Sequence, residues 1–155
     1  IGLEIGGCDY HDNSRTSGNA KDLEIGTMIG RVLETAAVMQ KPVFIQVCSD
    51  GSVVSEISTA STSPWVSDRG SAGVIYMIAY SPAGRPATSG FQVGSFNAGQ
   101  AAEGAFAPGP GATPARAAAG VFANYMAFNK KAGMIESVIP GLFSATQLSQ
   151  VLKYV

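Results

Sequence analysis

Lys41-Pro42-Val43-Phe44-Ile45-Gln46-Val47-Cys48-Ser49-Asp50-Gly51-Ser52 is the stretch on which the fold turns. Pro42 closes off whatever precedes it, and Val43–Cys48 is a continuous apolar, β-branched run of the kind found in strands buried on both faces. Upstream, Leu23, Met28, Ile29, Val32, Leu33, Ala36 and Ala37 recur three and four residues apart, which predicts a helix over residues 19–40. Asp22 and Glu24 fall in its first turns, where the helix dipole favours negative charge. Before it, 9–18 (DYHDNSRTSG) is a polar loop, and Leu3–Cys8 (LEIGGC) reads as a short strand whose glycines mark its end. Strand, loop, helix and strand over 3–48 make a βαβ unit, whose two strands the crossover rule expects to be parallel.

Downstream, residues 49–73 are rich in Ser, Thr and Gly and contain Val53-Val54, Trp65 and Ser67-Asp68-Arg69-Gly70. So long a stretch with so little periodicity predicts a functional loop or a surface excursion. Val74–Tyr80 (VIYMIAY) predicts a third buried strand and Phe91–Phe96 an edge strand. Residues 107–114 (APGPGATP) form a Pro/Gly linker, after which Pro114 suits the first helical position with Thr113 as N-cap. That helix gathers Ala117, Ala118, Val121, Phe122, Tyr125 and Phe128 on one face and ends near Lys130-Lys131. Ser144 followed by Gln147 is a capping-box pattern opening a last helix, so C-terminal helices occupy 114–153. The expected fold class is α/β, a mainly parallel sheet with helices on both faces. It forms a single domain over 1–155, or the C-terminal portion of a larger one.

Composition narrows the function. Hydrophobic residues are 46% of the chain and charged residues 14%, and the net charge is −1. Average domains carry about 25% charged residues, so a disordered chain is excluded. No basic stripe is available to neutralise phosphates, which excludes a nucleic-acid partner. The longest apolar stretch, Ala72–Tyr80, falls well short of the roughly 20 residues of a membrane span. The chain begins at Ile1, which points to a processed product, a truncation or a piece of something longer, and its small-residue, low-charge composition suits a periplasmic or extracellular setting.

In parallel sheets ligands bind where loops leave the carboxyl ends of the strands. Here those loops begin Cys8-Asp9-Tyr10-His11-Asp12 and Cys48-Ser49-Asp50-Gly51. If the two strands are neighbours, Asp9, His11 and Asp50 converge. Two carboxylates and the chain's one imidazole with an open position form a sensible site for zinc, manganese or iron. Such an ion polarises a phosphoryl or sulfuryl oxygen, or activates a water. Asp68 and Arg69 read most simply as a local ion pair, and functionally as an anion contact. Asp50 read alone is a turn residue. No Gly-x-Ser-x-Gly elbow, Ser-x-x-Lys pair or Walker-type loop occurs.

Taken together, GGCDYHD after a strand, the following helix, KPVFIQVCSDGS and SDRG before an apolar strand resemble a secreted bacterial family distantly similar to the alkaline phosphatase/sulfatase superfamily. The resemblance covers Leu3–Tyr80 and continues more weakly through the final helices. It implies an alkaline-phosphatase-like C-terminal portion. In it, Asp9 and His11 match ligands of one metal and Asp50 an acidic residue of a second. Arg69 and Gly51 stand where the superfamily has histidines, and nothing in the chain matches its nucleophile element. The implied function is the C-terminal portion of a metal-dependent hydrolase of phosphate or sulfate esters, intact or degenerate, completed by an upstream half or another chain. The alternative is a non-catalytic extracellular structural or binding subunit that self-associates as a homo-oligomer.

Cys8 and Cys48 end the two strands of the expected βαβ unit. Adjacent strands can satisfy disulfide geometry, and a bridge there would stabilise by about 2–4 kcal/mol. The other reading is a pair of buried free thiols packing as small hydrophobes, which the strict geometry of a bridge favours.

Overall fold

The computed structural model describes residues 1–8, 16–48, 52–55, 65–69, 75–96, 102–103 and 114–155. Helix α1 is Thr16–Val38, followed by strands β1 (Val43–Cys48), β2 (Ser52–Ser55), β3 (Trp65–Arg69) and β4 (Ile75–Tyr80). Two short strands, β5 (Ser95–Phe96) and β6 (Ala102–Glu103), precede α2 (Pro114–Phe128), α3 (Ile135–Val138) and α4 (Ala145–Val151). No described helix is long and apolar enough to cross a membrane.

The sheet is antiparallel, which overturns the expected parallel α/β architecture. β1 pairs with β4 from Val43 opposite Tyr80 to Cys48 opposite Ile75. β2 pairs with β3, Ser52 opposite Arg69 and Ser55 opposite Trp65, with a register slip between Ser52 and Val54. β2 and β3 fall between β1 and β4 in sequence, so the β2–β3 pair is nested inside the β1–β4 pair, each a two-stranded antiparallel ladder. Leu3–Cys8 is not a strand. The βαβ unit over 3–48 therefore does not form, and β1 takes its partner from downstream.

Helix boundaries follow the apolar spacing more closely. Both long helices end in the same way, with a left-handed residue that is not glycine. Gln40 (φ 51°) ends α1, and Lys41 N donates to Ala36 O while Gln40 N donates to Ala37 O. Lys130 (φ 59°) ends α2, with Lys131 N donating to Met126 O and Lys130 N to Ala127 O. This double bond back to the last turn satisfies carbonyls the helix leaves orphaned, and it explains why the chain reverses at Pro42 and at Lys131. Asp22 and Glu24 lie beyond the first turn, because α1 starts at Thr16. The last helix is closed by the expected capping box: Gln147 N donates to Ser144 Oγ, and Ser144 N to Gln147 Oε1. Thr113, the expected N-cap of α2, lies outside the described residues, as does most of the 107–114 linker.

The core of the described structure sits in the C-terminal helices. Ala123 and Met126 of α2 pack with Ile135, Phe143 and Val151, with Phe122, Leu142 and Leu148 leaning on them. Asn124 is the buried polar residue of this region, at 0% exposure, and its bonding capacity is filled. Its Nδ2 donates to Gly120 O and Val151 O, while its Oδ1 accepts from Lys153 N and Tyr154 N. A buried amide this well paired fixes the chain leaving α4 against α2. Phe44 carries β1 onto the same helices, its ring 5.6 Å from Tyr125, 5.8 Å from Phe128 and 5.9 Å from Tyr154. Burial there raises the pKa of the Tyr154 hydroxyl above the usual tyrosine value.

Candidate functional site

The candidate site is built around the β1–β2 and β3–β4 junctions. Cys48 closes β1 opposite Ile75, and Ser52 opens β2 opposite Arg69. Asp50 stands between Cys48 and Ser52 in sequence and lies outside the described residues. The described residues that flank this gap, Cys48 and Ser52, are each paired in a ladder. The residue two places beyond Asp50 faces Arg69 across the ladder, and Asp68 precedes Arg69 on the same strand. Asp68-Arg69 is therefore a piece of antiparallel strand rather than the loop ahead of strand three that the sequence suggested.

The other arm of the expected site comes from the N-terminal segment. Residues 1–8 run past the early turns of α1: a Cβ placed on Gly7 (φ +76°) would meet Lys21 Cε at 3.7 Å. Lys21 Nζ donates to Glu24 Oε2 at 2.8 Å, and this bond and the Glu24 charge raise the lysine pKa. Cys8 Sγ donates to Ile5 O at 3.3 Å, turning the chain just before Asp9. Asp9 and His11 themselves lie outside the described residues.

The argument from strand ends needs correction along with the fold. In an antiparallel pair the carboxyl end of β1 meets the amino end of β4, so no row of parallel carboxyl ends exists to gather ligands. Arg69 is placed by its register opposite Ser52 and not by a shared sheet edge. Cys8 and Cys48 are both free and both exposed, where the sequence reading had them bridged or buried. Among the described residues, no group of three or more His, Cys, Asp or Glu side chains could hold a metal ion.

Sequence reasoning missed the β2–β3 hairpin. Its signal was present: Val53-Val54 and Trp65-Val66 are apolar pairs of high strand propensity separated by a Ser/Thr-rich run. It also missed Asn124, which no periodicity marks, because a polar residue on the apolar side of a helix reads as an interruption. Compared with protein-family models, curated proteins and solved structures, the chain matches none.

Proposed function

We propose that this chain supplies the metal-ligand and anion-binding part of a hydrolase of phosphate or sulfate esters. The observation that supports the reading is the pairing of Arg69 with Ser52, the residue two places after Asp50 in the sequence. Asp9, His11 and Asp50 would hold a zinc, manganese or iron ion, since carboxylates and a neutral imidazole suit such ions. Arg69 would take a tetrahedral anion, for which its planar fork of donors is well matched. A bound ion would polarise the ester oxygen or activate water. The nucleophile would come from another part of the protein or from another chain, in the periplasm or outside the cell.

The test is binding of inorganic phosphate and of sulfate, measured by titration calorimetry with and without manganese. The reading expects metal-dependent binding that falls at least about tenfold in Arg69→Ala, the loss of one charge-assisted pair. Equal binding by wild type and Arg69→Ala contradicts it.

One set of observations favours a second reading, a non-catalytic subunit that self-associates. Leu23 is 72% exposed and Val38 80% exposed on α1, and Val32 and Met39 are also exposed. Exposed apolar side chains such as these are what a self-associating surface would cover. Sedimentation giving a monomer at high concentration removes this reading and leaves the first untouched.

A further inference from the structure

We infer that residues 152–155 form a latch: a strap that opens as a unit, ahead of global unfolding, and so controls how firmly the β1–β4 pair is held on the helices. The strap runs alongside both, adding to the direct packing of Phe44 on Tyr125 and Phe128. Ser89 N donates to Lys153 O at 2.8 Å, Val155 N to Ala87 O at 3.3 Å, and Thr88 and Tyr154 form an antiparallel bridge. Ser89 Oγ adds a bond to Leu152 O, and Lys130 Nζ one to Val155 O. The Tyr154 ring touches both Phe44 of β1 and Phe128 of α2, with centroids 5.9 and 5.7 Å away. The strap therefore ties the segment leaving β4, the ring that anchors β1, and the end of α2.

Its hinge and its weak side are both visible. Val151, 0% exposed, is the last residue of α4 and belongs to the core cluster. Beyond it, Leu152, Lys153 and Tyr154 are only half-buried, and Val155 is exposed. Opening breaks a few bonds at the surface and the two that Asn124 Oδ1 accepts, one of them long at 3.4 Å. The Nδ2 bonds of Asn124 to Gly120 and Val151 stay intact, because both partners lie on the core side of the hinge. No fully buried side chain leaves the core. Segments with few buried contacts and exposed backbone bonds open at lower free energy than the global transition. The open strap frees the backbone of 87–89 and uncovers the Phe44 and Phe128 rings.

Native-state amide exchange tests this, with Ser89 as the reporter. Its amide donates to Lys153 O, so its exchange reports opening as far as Lys153, and a graded series of rates from Val155 to Ser89 in place of one shared rate would mean stepwise opening and overturn the latch. The latch predicts that the amides of Ser89, Lys153, Tyr154 and Val155 share one rate, at least about tenfold faster than those of Ala123 and Met126, with a shallower denaturant dependence. Tyr154→Leu should accelerate Ser89 by a further severalfold while leaving Ala123 and Met126 unchanged. Exchange of Ser89 at the rate of the α2 amides overturns the latch. So does a Ser89 rate that ignores the Tyr154 substitution.

Discussion

Helices α1 and α2 are written in the same apolar rhythm and end with the same left-handed cap, yet they are buried to very different depths. Of the 23 residues of α1, the buried ones are Gly18 and Ala36. In α2, Val121, Ala123, Asn124, Met126 and Ala127 are all buried. The difference lies in what stands opposite. α2 faces Ile135, Phe143 and Val151, while α1 keeps Leu23, Val32 and Val38 in solvent among the described structure. Apolar spacing announces a helix and says which face is stickier. Depth is set by the elements that arrive to cover that face, and the spacing does not contain them.

The sharpest way to break this contrast is to truncate one large side chain in each region. Phe143→Ala, inside the C-terminal cluster, should cost about 3–5 kcal/mol in urea unfolding. Leu23→Ala on α1 should cost under about 0.5 kcal/mol. Equal losses would mean that α1 is covered in solution. Next in size is Asn124→Leu, which strands the Lys153 and Tyr154 amides and the Gly120 and Val151 carbonyls. A loss of at least about 2 kcal/mol is expected, because the half-buried Lys153 and Tyr154 amides regain water while each fully buried group left unpaired costs about 1–3 kcal/mol. A change below about 1 kcal/mol would show that water reaches those groups.

Ser144→Ala removes one half of the α4 capping box and should cost about 1 kcal/mol, read as a shift in urea midpoint at constant slope. The smallest effect has the opposite sign. A Cβ on Gly26 or Gly30 would meet nothing within 4 Å, so each replacement by alanine should stabilise α1 by about 0.5–1 kcal/mol through helix propensity alone. Destabilisation by either alanine would reveal a close-packed neighbour on that face, and would strengthen the self-associating reading.

Much of the local structure could be read from the residues. β1 spans the VFIQVC run, β4 all but the first residue of Val74–Tyr80, and the Ser144/Gln147 box is in place. Strand direction was not readable from those runs, because VFIQVC and VIYMIAY suit parallel and antiparallel pairs equally. The informative segment was the one between them. Parallel neighbours need a long crossover, usually helical, and residues 49–74 carry no helical period. What they carry is the Val53-Val54 and Trp65-Val66 pairs of a nested hairpin, which returns the chain antiparallel. Leu3–Cys8 has a strand-like composition and finds no partner, since pairing is a property of two segments. Of the site, the sequence put Asp68 and Arg69 in a loop before the third strand, where the structure has them in β3, while Asp9, His11 and Asp50 lie outside the described residues.

The measurement that bears most directly on the proposed function is the metal content of protein purified without chelators, by elemental analysis of wild type and Asp50→Asn side by side. The account predicts zinc, manganese or iron at a stoichiometry of about one per chain in the wild type and clearly less in Asp50→Asn, since even the outer-shell partners of a metal site are worth about 10–100-fold in affinity. Wild-type protein without metal, or with the same metal as the variant, would contradict it.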